Sequence, residues 1–155
     1  VATQVSVIGS GSEHEAAAEE VGRLLATHGC TVVTGGLGEV MAAAHRGAKS
    51  VGGATIAILP GEQRGDANPW ADHVVVTGVG HARNLAVAAS GDGVIAVGGS
   101  WGTISEIAFA ARLGRPIVIL EGGPRVDGVP RASTPAEAVE AVLAGLGATP
   151  SAAPG

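Results

Sequence analysis

Three times in this 155-residue chain a short apolar run ends in glycines and gives way to a helix-forming segment. This happens at residues 9–12 (Gly-Ser-Gly-Ser), 35–38 (Gly-Gly-Leu-Gly) and 98–102 (Gly-Gly-Ser-Trp-Gly). Runs that are apolar throughout, without alternation, belong to strands covered on both faces. Glycine lets the chain leave such a strand through a tight turn and lets a ligand come close to the main chain. The helix that follows points free N–H groups and a positive dipole end into the turn. Repetition of this unit leaves few folds open, all built on parallel strands with crossover helices.

The remaining chain keeps the same rhythm. Strands are expected at 5–8, 31–34, 54–59, 73–76, 94–97 and 117–120, and helices at 16–27, 39–49, 82–89, 103–113 and 134–146. Residues 61–72 and 121–131 have no periodicity and read as loops. The expected class is α/β, a Rossmann-like doubly wound parallel sheet of about six to seven strands with helices on both faces. Residues 1–146 read as one nucleotide-binding α/β domain, and the Ala/Pro/Ser/Gly-rich 147–155 as a disordered tail. Such sheets bind ligands at the carboxyl ends of their strands, near the switch point. All three glycine turns must open on that edge.

Composition narrows the partner. A net charge of -5, no Lys/Arg cluster and only two Trp and one Phe leave neither a basic patch nor a base-stacking platform, so no nucleic acid is expected. Cys30 is the only cysteine, which excludes a disulfide framework and a thiolate metal site. His14, His28, His45, His73 and His81 form no helical ligand pair, and no metal site is expected. No apolar run approaches the roughly 20 residues of a membrane span, and no signal peptide is visible, so the reading is cytoplasmic.

Gly9-Ser10-Gly11-Ser12-Glu13-His14 begins like a dinucleotide fingerprint, but His14 stands where the third glycine belongs. The second strand ends Thr34-Gly35-Gly36, with no acid for an adenosine ribose, so an NAD dehydrogenase is not expected. A Walker loop is excluded because Gly-Lys-Ser/Thr does not occur. At the third turn, Gly98, Gly99, Ser100, Gly102 and Thr103 form an anion cradle with Glu106 in the first helical turn. Glu106 has two readings: a functional carboxylate, or the acid of a capping box with Thr103. Ser12/Glu15 and Thr134/Glu137 repeat the same capping spacing. Arg83 opens a helix, where a cation is disfavoured unless it faces an anion, with Asn84 and His81 as weaker candidates in the same turn. Glu39 reads as a first-turn acid suited to its helix dipole. Trp101 has three open readings: stacking on a base, plugging the cleft, or packing on a partner subunit.

Gly98-Gly99-Ser100-Trp101-Gly102-Thr103-Ile104-Ser105-Glu106 resembles the Gly-Gly-x-Gly-Thr-x-x-Glu signature of the LOG ("lonely guy") family. Gly35-Gly36-Leu37-Gly38 with Val40-Met41 resembles that family's earlier Gly-Gly turn, and Arg83 matches the arginine preceding the signature. The resemblance covers most of residues 4–120. It implies a homodimer or higher homo-oligomer and a phosphoribohydrolase, which cuts the N-glycosidic bond of cytokinin nucleoside 5'-monophosphates. By that resemblance Glu106 and Arg83 are the catalytic residues. Glu106 stabilises an oxocarbenium-like ribose or orients water, and Arg83 helps fix the nucleotide. Gly9, Ser10, Gly35, Gly36, Asn84, Gly98, Gly99, Ser100, Gly102 and Thr103 would hold the phosphate and nucleotide.

The chain departs from the family at Val97, where a proline precedes the glycine pair, and at Asn84, where the Arg-Lys pair has its lysine. Little chain follows Leu120 to shape a base pocket. It is also similar to molybdenum-cofactor carrier proteins, which share the fold and bind without turnover. The expected function is a nucleotide- or phosphate-binding LOG-like protein, with two alternatives. One is a nucleoside 5'-monophosphate phosphoribohydrolase; the other is a non-catalytic nucleotide or molybdenum-cofactor carrier or sensor. No resident cofactor is expected. The "lysine decarboxylase" label carried by many family members does not fit. A pyridoxal-phosphate enzyme needs a Schiff-base lysine, and Lys49, the only lysine, lies at the helix end away from the glycine edge. A purely structural oligomer would leave three phosphate-ready turns unexplained. Helix 103–113, with Ile107, Phe109 and Ala110, is an interface candidate, although its apolar face could equally pack on the sheet.

Overall fold

The computed structural model describes residues 1–148. Its sheet has seven strands, β1 (Gln4–Ser10), β2 (Thr31–Thr34), β3 (Thr55–Leu59), β4 (His73–Val76), β5 (Gly93–Gly98), β6 (Ile117–Leu120) and β7 (Arg131–Ala132). The five helices are α1 (Glu15–Thr27), α2 (Val40–Ser50), α3 (Arg83–Ser90), α4 (Trp101–Arg112) and α5 (Pro135–Ala148). Every strand pair is parallel, in the order β4-β3-β2-β1-β5-β6-β7. The chain winds outward from β1 in both directions, so the switch point lies between β1 and β5. Their register, from Val5↔Gly93 to Ser10↔Gly98, brings two of the glycine turns side by side at the carboxyl edge.

The continuous apolar strands feed two cores. Val5, Val7, Ile95 and Val97 point to α1, α2 and α5, while Ile8, Val94 and Ala96 point to α3 and α4. Without aromatic bulk the first core is closed by near approach of main chains. A Cβ on Gly22 of α1 would lie 2.0 Å from the Ala44 carbonyl oxygen, and one on Gly47 of α2 would lie 1.9 Å from that of Glu19. The other face is less complete: Leu85 of α3 and Trp101, Phe109 and Leu113 of α4 or its cap stay exposed.

Several expectations change. β7 forms at the end of the expected 121–131 loop, because Ile119 and Leu120 offer Arg131 and Ala132 a free edge. The four-residue β4 lies at the opposite edge and is largely exposed, so its unbroken apolar run does not mark a strand covered on both faces. α5 extends through Ala148, taking in the first two residues of the expected tail; the rest of that tail lies outside the described residues. Of the capping boxes, the one at Thr134 forms with its return bond shifted by one residue, to Ser133. Thr134 Oγ1 accepts the Glu137 N–H (3.2 Å), and the Glu137 carboxylate accepts the Ser133 N–H (2.9 Å). The Ser12 box does not form: residues Ser12–His14 make a 3-10 turn and α1 starts at Glu15 without a side-chain cap. Among the described residues, no helix is long and apolar enough to cross a membrane.

Candidate functional site

At the carboxyl edge, over the switch point, the chain leaves a cleft of about 200 Å³. Gly9 and Ser10 contribute from the end of β1, and Gly35 from the turn after β2. Arg83 and Asn84 come from the head of α3, and Ser100, Gly102, Thr103 and Glu106 from α4 and its cap. Met41 adds an apolar wall and His81 a polar rim. Gly36, Gly98 and Gly99 do not line the cleft; they shape the turns around it. All three have positive φ, and a Cβ at Gly99 would lie 2.2 Å from Thr103 Oγ1.

The start of α4 corrects the capping reading of Glu106. The helix opens at Trp101, with Ser100 as N-cap, and the Ile104 N–H donates to the Ser100 carbonyl at 3.0 Å. Thr103 is therefore inside the helix and Glu106 is its sixth residue, too far along to cap its start. Glu106 is only 8% exposed. Burial pushes its carboxyl up to about 7, opposed by the Arg83 charge. Near neutral pH it is divided between its acid and its anion.

Arg83 is buried and fixed. Its Nε donates to the Ile58 carbonyl (3.0 Å), its Nη2 to the Gly35 carbonyl (3.3 Å) and its Nη1 to Asn84 Oδ1. Of the five N–H groups of a guanidinium these bonds use three, and the other two have no hydrogen-bond partner among the described residues. Burial lowers its pKa from the usual arginine value, and the Glu106 charge works against that. Asn84 Nδ2 donates to Ser105 Oγ (3.3 Å), which donates to the Gly102 carbonyl (2.6 Å), so the heads of α3 and α4 are tied together.

Sequence reasoning missed the linking role of Ser105 and misread Glu39. Glu39 is the N-cap of α2, at φ 53°, and its side chain makes no bond to its own helix. Its carboxylate instead accepts the Gly11 N–H at 2.7 Å. Twenty-eight residues separate these partners, and no local pattern signals such a bond. His14, in the place of a third glycine, fills the space above Gly98 and Gly122: a Cβ on either would lie 2.2 Å and 3.0 Å from its ring. Trp101, 83% exposed, does not plug the cleft, although its neighbours Ser100 and Gly102 line it. Lys49 is engaged at the far end of α2 with Asp72 (2.8 Å) and the Gly53 carbonyl (3.0 Å).

The sequence profile of the SLOG cluster4 family matches residues 2–144. An uncharacterized protein of Archaeoglobus fulgidus is 43% identical over 139 residues, covering 88% of this chain and 91% of its own. The molybdenum cofactor binding protein of Rippkaea orientalis superposes with a TM-score of 0.86 at 31% identity, over 93% of this chain and 97% of the other. The molybdenum cofactor carrier protein of Chlamydomonas reinhardtii superposes with a TM-score of 0.86 at 32% identity, over 95% and 99% of the two chains.

Proposed function

The chain belongs to the SLOG cluster4 family, and on that premise we propose that its cleft binds a small phosphate-bearing ligand, a nucleotide or a molybdenum cofactor, and carries it without turnover. The observation that carries this reading is the pairing of the α4 N-terminus with the two uncommitted N–H groups of a rigidly held Arg83 at the switch point. Helix N–H groups and dipole favour an anion there, and the guanidinium adds charge-assisted bonds. Likeness to molybdenum cofactor proteins over nearly the whole chain supports the carrier role. So does size: at about 200 Å³ the cleft is below the roughly 300–1,000 Å³ that enclose a drug-sized ligand. It suits a phosphate and its neighbouring ring while the rest of the ligand stays accessible to a receiving partner.

A second reading, phosphoribohydrolase, is favoured by Glu106. In its ionised form a buried carboxylate beside a ribose would stabilise the positive charge that develops as the N-glycosidic bond breaks, or accept a proton from the attacking water. Incubation with AMP and with a cytokinin monophosphate decides between the two. The carrier reading expects saturable binding and no free base by chromatography. Base release that Glu106→Gln abolishes would establish the hydrolase instead. The exposed apolar side chains of the α3–α4 face support assembly into a homodimer or larger homo-oligomer, which light scattering on the eluting protein would measure.

A further inference from the structure

Among the described residues Glu39 is the only one besides glycine with positive φ (53°, ψ -125°). This region suits glycine, and a residue with a Cβ is strained in it, so its occupation calls for a reason. Glu39 does not spend its side chain as helix caps do. Its backbone carbonyl accepts the Ala43 N–H of α2, and its carboxylate crosses to the first glycine turn and takes the Gly11 N–H. Gly11 follows directly on Gly9 and Ser10, which face the cleft, and heads the 3-10 turn leading into α1. One donor of the first glycine turn, the Gly11 N–H, is therefore already taken by an anion of the protein, at a point beside the cleft lining and not within it. At the third turn Ser100 makes no side-chain cap, and Gly102 and Thr103 face the cleft next to Arg83 and Glu106.

We infer that Glu39 is a specificity-determining residue: by occupying the first turn with the protein's own carboxylate, it restricts the cleft to ligands with a single phosphoryl group and rejects diphosphates. The inference rests on the phosphate-binding reading above. A phosphoryl group at the α4 N-terminus finds helix N–H groups that no side-chain cap takes, with Arg83 as counter-charge and the Glu106 carboxyl beside them. A second one reaching toward the first turn meets a donor already taken and a like charge behind it.

Calorimetric titration of the full chain with AMP and ADP, and with inorganic phosphate and pyrophosphate, tests this. The unaltered chain is expected to bind AMP about tenfold more tightly than ADP. Glu39→Gly removes both the carboxylate and the strain. It should melt no lower than the parent, keep AMP affinity within about threefold and gain about tenfold for ADP and pyrophosphate. Glu39→Gln keeps an acceptor without the charge and should fall between, and it decides the matter if the glycine variant does not fold. A purely structural tie would lower AMP and ADP affinity together in Glu39→Gly, which overturns the inference. So does an AMP-to-ADP ratio that neither substitution moves. If none of the four probes binds the parent or either variant, the inference falls together with the nucleotide form of the phosphate-binding reading, and the molybdenum-cofactor form is left standing.

Discussion

His45 and Glu106 are ionisable side chains buried under opposite faces of the same sheet, and the protein treats them differently. His45, on α2, has no exposed surface; its ring stands between Thr34 Oγ1 (3.1 Å) and Asn68 Oδ1 (3.4 Å). Burial takes it down to about 4, so the imidazole is neutral with a partner on each nitrogen. Asn68 in turn holds the Gly36 and Leu37 carbonyls, so this group supports the second glycine turn from behind. Glu106 is nearly as buried and is displaced as far, upward to about 7, yet only the Arg83 charge offsets the burial. Burial is common to both. What separates a structural group from a site is whether its neighbours complete its hydrogen bonds, and around Glu106 that place faces the cleft.

The largest test of this contrast is His45→Ala. Losing a fully buried, doubly bonded ring should cost on the order of 4 kcal/mol by chemical denaturation and loosen the second glycine turn. A loss below about 1 kcal/mol would contradict the structural role of His45.

Glu106→Gln should do the opposite. Raised from 4.5 to about 7 in the fold, Glu106 contributes stability that is complete below 4.5 and is lost as pH climbs through 7. The parent chain is thus penalised by about 3 kcal/mol at pH 8, and the glutamine variant should recover much of that. His45 runs the other way: its contribution is present above 6.5 and is lost as pH falls through about 4. Between 4.5 and 6.5 the two slopes oppose, so the parent should be nearly pH-independent there. Glu106→Gln should then gain stability with rising pH by about 1 kcal/mol per unit. A flat profile in that variant would refute the assignment.

Arg83→Lys tests the cleft. A lysine cannot make the fork of bonds to Ile58, Gly35 and Asn84, so AMP affinity should drop about tenfold, or about 1.4 kcal/mol, by calorimetry. The smallest effect belongs to Trp101→Ala, exposed beside the site. It should change the stability of the isolated chain by less than about 0.5 kcal/mol while reducing self-association in light scattering.

Much of this architecture was legible because strand, glycine turn and helix each carry a local signal. Gly9, Ser10, Arg83, Asn84, Thr103 and Glu106 were read from such signals, and the fold brings them to one cleft. The start of α4 was not legible, since Ser100 and Thr103 are equally good caps and Gly102 between them reads as a helix breaker. The Thr134 cap was, because Pro135 fixes the first helical φ; at Ser12 the chain makes a 3-10 turn first. Glu39 and Gly11 meet only once the second turn is laid beside the first, which no window of sequence contains. β4 looked buried because periodicity reports apolar character and does not tell an edge from a centre.

The scarcity of aromatic residues gives this protein a simple optical spectrum. With no tyrosine, one weakly emitting phenylalanine and two tryptophans, emission excited at the red edge of the absorption band comes from Trp70 and Trp101. Trp70 is half-buried with the Arg46 guanidinium 5.2 Å from its ring, whereas Trp101 projects into water between two residues that line the cleft. Replacing Trp70 with phenylalanine would leave one fluorophore at the mouth of the site. The unlabelled chain would then report, by its own colour and intensity, the arrival of a ligand or of a second subunit.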